Sequence, residues 1–248
     1  MSAMQFGKTD INIQNKIHTM KMTKTKLAKG FTLVELLVVI AIIAALAALS
    51  TPVVLKQQKK ASLAEAVNNA KQIGYLMKDY DDSFGNYPLL DDTQDTTLPA
   101  AVTTANQIWG KFFQLSLIDV EEVFYAKTSW NRKPDGDADT VARFCAAGES
   151  GFGYISGLSA SNNGRAPVVV APQAAAGNSV TFDGGAFGGS MVYLCVDGSV
   201  QTAPVKLDGT VSVTRGGAAV NLMTFGSVPL YGGTGAGAMV GSAAIPAP

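Results

Sequence analysis

Histidine is almost missing from this chain of 248 residues: His18 is the only one. It lies in a basic N-terminal stretch, so a chain shortened by its first 30 residues holds none. Without histidine, Ser-His and Cys-His nucleophile pairs are unavailable. With only two cysteines, Cys/His metal clusters are unavailable as well. The glycines after Gly184 do not open a helix, so they form no phosphate-binding loop. These gaps argue against an enzyme. Excess charge of one sign is also missing: 19 basic residues face 19 acidic ones. The balance hides a split. Lys8, Lys16, Lys21, Lys24, Lys26 and Lys29 against Asp10 make the leader basic, and the rest is correspondingly acidic. An acidic body lacks the footprint of a nucleic-acid binder. The 26 glycines concentrate after Gly148 without a collagen period, which reads as turns and short strands. The Gly/Ala-rich tail over Tyr231–Ala238 reads as loosely ordered.

What the chain has in abundance is one apolar run. From Phe31 to Leu55, Glu35 is the only charged residue. As helix the run measures about 37 Å, enough to cross a hydrocarbon core of roughly 30 Å. A carboxylate in such a segment costs roughly 2.5–3.5 kcal/mol at the helix centre, and by default marks a functional site. An ordinary signal anchor is one reading. A signal peptide cut after Ala45-Leu46-Ala47 is another. Neither has a use for Glu35. Moreover, apolar spacing continues through Leu63, Val67, Ala70, Ile73, Met77 and Tyr80, one stripe of an amphipathic helix with lysines and asparagines on its other faces. Gly85 and Pro88 predict its end. Pro52 removes one hydrogen bond inside this helix. Lys56, Lys59 and Lys60 follow the run, but the leader holds more lysines and is expected on the cytoplasmic side.

The Lys-rich leader, Gly30, Phe31, the acid at Glu35 and the proline at Pro52 together resemble the class III signal of type IV prepilins and type II secretion pseudopilins. The resemblance implies cleavage between Gly30 and Phe31 by prepilin peptidase and N-methylation of Phe31. It implies that Glu35 neutralises the terminal amine of a neighbouring subunit, and that the apolar helices polymerise into a filament. Partners would be the chain itself, other pseudopilins and an inner-membrane assembly platform. The chain would sit in the bacterial inner membrane with its C-terminal domain periplasmic, then in a periplasmic or extracellular filament. The stretch Met77–Pro88, with Gly85-Asn86-Tyr87-Pro88, is similar to the end of the long helix in the major pseudopilin.

The remainder predicts an α+β domain: the long helix packed on an antiparallel sheet. The expected organisation is a leader over 1–30, an assembly helix over 31–55, its amphipathic continuation over 56–84, and a globular domain over 85–248. Short helices are expected at Ala105–Phe113 and Leu115–Tyr125. Strands are expected at Gly153–Ser156, Ala166–Ala171, Ser179–Phe182, Ser190–Val196, Ser199–Pro204 and Thr210–Val213. Asp197-Gly198 between β-rich runs predicts a two-residue type I′ hairpin. Trp109 and Trp130 are expected as core anchors.

Asp135, Asp137 and Asp139 alternate in one loop, a pattern that either gathers a calcium ion or is simply solvated. Thr140 and Ala146 stand where an EF-hand needs Gly and Glu. Asp91, Asp92 and Asp95 form a second acidic group. Cys145 and Cys195 are either a disulfide closing a loop of about 50 residues or two buried thiols. The alternative function is a single-pass, membrane-anchored periplasmic binding or sensor domain that never assembles.

Overall fold

One helix, α1 (Leu33–Phe84), carries two kinds of sequence. The computed structural model describes residues 30–89, 104–141, 143–175, 181–215, 218–222 and 239–240. The leader through residue 29, the acids Asp91, Asp92 and Asp95, and the tail at 231–238 lie outside the described residues. The chain divides into two units, Met1–Ala48 and Leu49–Pro248.

In the first unit every residue of α1 is exposed. Leu33, Leu36 and Leu37 are among the apolar side chains that stand open. By length and composition, α1 is able to cross a membrane.

In the second unit α1 turns one stripe inward. Ala66, Ala70, Ile73, Met77 and Tyr80 are buried at alternating spacings of four and three, the surface period of an α-helix. Gly74 lets the helix approach β3 (Ser190–Cys195): a Cβ there would sit 3.1 Å from Leu194 Cδ1. Asn69 shares the buried face, against the expectation that asparagines lie elsewhere. Its amide donates to the carbonyls of Glu122 and Tyr125 at 3.0 and 2.9 Å, so a polar side chain is tolerated there because it serves two backbone acceptors. The helix ends where Gly85 adopts a positive φ of 77° and its N–H reaches Asp81 O. Beyond it, Tyr87 Oη donates to Val196 O, and Tyr154 Oη donates to Pro88 O. These bonds tie the turn to the sheet.

The main sheet has the order β4-β3-β2-β1-β7, all neighbours antiparallel, with β1 (Gly153–Ile155), β2 (Pro167–Ala171), β4 (Val200–Pro204) and β7 (Met239–Val240) around β3. A two-stranded sheet pairs β5 (Ser212–Arg215) with β6 (Ala218–Asn221). β2 is buried along its whole length, as a central strand covered on both faces should be. The arrangement is α+β, as expected. Of the expected strand over Ser179–Phe182, Phe182 makes an isolated bridge to Gln173, while 179 and 180 lie outside the described residues.

Two local expectations are corrected. The expected helix over Leu115–Tyr125 is absent apart from a short 3-10 turn, Glu121–Phe124. α2 (Ala105–Gln114) is closed by a Schellman motif: Leu117 N–H reaches Phe112 O and Ser116 N–H reaches Phe113 O. Ser116, with φ of 56°, takes the left-handed position usually given to glycine. The second correction concerns the hairpin. Gly198 N–H bonds Cys195 O and Cys195 N–H bonds Ser199 O. Gly198 has φ of 78°, and Asp197 is not in the positive-φ region. This is a three-residue loop, a type I turn followed by a left-handed glycine, rather than type I′. Asp197 Oδ1 accepts from Ser199 N–H, which favours that geometry. Asp208-Gly209-Thr210 repeats the bond pattern between Val205 and Val211.

The core is aromatic. Trp109 is fully buried, stacks on Phe124 with centroids 4.8 Å apart, and meets Tyr154 edge-on. Each such pair is worth about 0.5–1.5 kcal/mol beyond area burial. The Trp109 indole N–H donates to Ser150 Oγ, so no buried donor is stranded. Trp130 is only half-buried; it staples its loop to Gln173 O at 3.0 Å and is not a core anchor.

Candidate functional site

The N-terminal segment builds its own geometry from four residues. Gly30 and Phe31 are exposed and precede the helix without regular structure. Such a peptide bond is accessible to a protease. Thr32 then stops the non-helical chain. Its Oγ1 accepts from Glu35 N–H at 3.2 Å, while its N–H donates to Glu35 Oε2 at 2.9 Å. This is a capping box, in which two end-of-helix N–H groups are satisfied reciprocally. Thr32 Oγ1 also donates to Glu35 Oε2 at 2.8 Å. Glu35 lies in the first turn of α1, where a negative charge faces the positive end of the helix dipole. The pattern Thr32-x-x-Glu35 was available in the sequence as a helix start. Pro52 lies inside α1, and the helix runs through it.

The acidic loop residues part company. Asp137 and Asp139 both turn to Arg143, at 2.8 and 3.4 Å. Asp135 lies instead with Glu121 and Glu149, and a carboxylate oxygen from each falls within 4.8 Å of the others. Glu121 and Glu149 are buried, and neither was a candidate from sequence because they stand far along the chain from Asp135. Both carboxylates already hold the loop together. Glu121 accepts from Gly136 and Cys145 N–H, and Glu149 accepts from Ala146 N–H. The Arg132 guanidinium lies 2.8 Å from Glu149 Oε1 as an ion pair without hydrogen-bond alignment. Burial, and then the charges of Glu121 and Asp135, push the Glu149 carboxyl above the ordinary glutamate range; the Ala146 N–H and Arg132 work against that rise. These three oxygens are the donor set a hard cation would use here; Glu121 and Glu149 have the structural work just described, and Asp135 Oδ1 accepts from Asp137 N–H.

Cys145 and Cys195 are two separate buried thiols in different surroundings. Cys145 is at a positive φ of 53° beside Glu121, with its thiol pushed well up by burial. Cys195 ends β3 and lines a groove of about 480 Å³ between α1 and the β3–β4 turn. Lys71, Lys78, Asp81 and Asp197 also line that groove. Burial and the neighbouring Asp81 and Asp197 raise the Tyr87 hydroxyl there. The groove mixes both charge signs.

Comparison with known families places the model for the prokaryotic N-terminal methylation motif on residues 25–51. No curated protein and no solved structure matches the chain significantly. The matched stretch contains Gly30, Phe31, Thr32 and Glu35. It supports a type IV pilin-like, prepilin-type protein that is a substrate of prepilin peptidase and is anchored through its apolar helix.

Proposed function

We propose that this chain is a structural subunit of a pilus-like filament, and more narrowly a major-pseudopilin-like subunit of type II secretion. One observation carries the reading: the methylation motif runs directly into an exposed apolar helix whose only charge between residues 31 and 55 is Glu35. Prepilin peptidase cuts Gly30–Phe31, and Phe31 becomes the methylated terminus. The new amine of one chain meets the Glu35 carboxylate of the next. A carboxylate leaving water needs such a cation, because an unpaired buried charge is strongly destabilising. The Tyr87-Pro88 turn after α1 favours a secretion pseudopilus over a surface pilus. The role is structural rather than catalytic, with the leader cytoplasmic and the globular unit on the far side of the membrane.

The competing role for Glu35 is local, since it caps its own helix through Thr32. Two substitutions separate the roles. Glu35→Gln keeps the capping box, because glutamine serves at that position; Glu35→Ala removes cap and charge together. Both variants are expected to be cleaved to a Phe31 terminus and to stay membrane-anchored, and neither is expected to enter filaments. Wild-type filament yield from Glu35→Gln would reduce Glu35 to a cap, whereas a cleaved wild-type chain that forms no filament would make a non-assembling anchor the better reading. The mature N-terminal peptide from native envelopes is expected to begin with N-methyl-Phe31.

A further inference from the structure

The globular unit opens with cations. Lys56, Lys59 and Lys60 follow the last residue of the apolar run, Leu55, and all three are exposed. Lysines on the exported flank oppose the orientation rule for membrane spans. The leader outnumbers them, so they are tolerated, but orientation does not explain them. Spaced three and four apart, they share one side of α1. Lys59 lies one turn before Leu63, which packs against the core, so it stands where the buried stripe runs off the globular unit.

There the helix borders a groove of about 310 Å³ lined by Leu55, Lys59, Ser62, Lys127, Thr128 and Asp183, among others. Lys127 is exposed and adds a fourth cation from another part of the chain. The one carboxylate lining this groove is occupied: Asp183 accepts from Ser129, Gly185 and Ala186 N–H. Gly188 closes on the Lys59 stem; a Cβ there would lie 3.7 Å from Lys59 Cβ. The stem is thus held against protein while its ammonium remains open to solvent.

We propose that Lys56, Lys59, Lys60 and Lys127 form a binding surface for anionic phospholipid headgroups. The charge is complementary, and hydroxyls of Ser62 and Ser129 stand beside the lysines as further phosphate donors. Depth is set by the chain itself: Leu49, Val53, Val54 and Leu55 of the same unit are exposed apolar residues leading directly to the lysines. The surface would hold each subunit's globular unit down on the bilayer before assembly. The inference rests on the membrane embedding of residues 31–55, and not on filament formation.

The test is lipid retention by the full-length chain in neutral detergent, read by native mass spectrometry with phosphatidylglycerol or phosphatidylcholine added. Phosphatidylglycerol is expected to be retained preferentially. Lys59→Gln with Lys127→Gln is expected to weaken its binding about thirtyfold, roughly fivefold per lysine, while Lys71→Gln with Lys78→Gln changes it less than about twofold. Labelling of wild-type amines provides a second readout that needs no variant: anionic vesicles should slow acetylation of Lys59 and Lys127, and zwitterionic vesicles should not. Equal retention of the two lipids, equal losses in both lysine pairs, or displacement of lipid by excess inorganic phosphate would each overturn the proposal. So would a double variant that keeps its lipid but loses cross-links to a second copy. Loss of carbonate-resistant membrane association would instead count against the embedding of residues 31–55, so the two failures are told apart.

Discussion

The first sixteen residues of α1 and the turns after Leu63 obey the same backbone rules and opposite side-chain rules. Through Ala48 the helix is apolar on all sides apart from Glu35, and no side chain is buried. After Leu63 it is apolar on one stripe, and that stripe is covered by the sheet and by α2. A helix apolar all round is built for a surrounding that this chain does not itself supply. A helix with one stripe is complete within its own fold. The contrast teaches that the two halves answer to different environments, and that a substitution should be felt by one and not by the other.

The widest separation is expected from the same change made in each half. Ile73→Asp puts an unpaired carboxylate at a site with no exposure, and should cost more than about 4 kcal/mol and unfold the globular unit. Ile40→Asp should leave the thermal unfolding of that unit unchanged while weakening membrane insertion by about 2.5–3.5 kcal/mol. Unfolding scans in detergent, paired with an insertion assay, would break the comparison if Ile40→Asp also lowered Tm. Next in size is Trp109→Ala. It removes a stacked, hydrogen-bonded indole and should destabilise by about 3–5 kcal/mol in denaturant titrations. Asn69→Ala is smaller. It strands the carbonyls of Glu122 and Tyr125, for about 1–3 kcal/mol in the same titration.

The smallest effect is a pH dependence. The folded state holds a proton on Glu149 more readily than the unfolded chain does, because burial raises that group. The ionised form therefore works against the fold at neutral pH, and this penalty fades as pH falls toward the ordinary glutamate range. Wild type should gain stability on Glu149→Gln as pH drops from about 7 to about 5, by less than about 1 kcal/mol given the exposed Arg132 partner. A difference that is flat or reversed over that window would show that the carboxyl is not raised.

Much of the fold was legible because its signals are local. Gly85 ended α1, the β-rich apolar run Met191–Val196 before Asp197-Gly198 gave β3, and the run from Ala105 gave α2. What was missed depended on distance or on an unusual residue. Ser116 replaced the glycine that normally announces a Schellman stop, so the chain after α2 looked helical. The turn at Asp197-Gly198 was visible, but its length depended on the Asp197 carboxylate bonding Ser199 N–H. Of the candidate residues, Gly30, Phe31 and Glu35 stand together because they are neighbours in the chain. Asp135 could not be paired with Glu121 and Glu149 from spacing, since only the folded loop joins them. Asn69 looked like a surface residue because the two carbonyls it serves lie more than fifty positions away.

The Thr32–Glu35 box has one further consequence, for the timing of association. A free glutamate side chain loses on the order of 1.5–2 kcal/mol of rotamer entropy when a partner fixes it. Here Thr32 has already drawn the carboxylate into one orientation while capping the helix. In the proposed filament, an arriving amine would therefore meet an acceptor already oriented before contact, and association would carry a smaller ordering penalty. On that proposal, the same threonine that starts the helix would also ready its one charge for a partner.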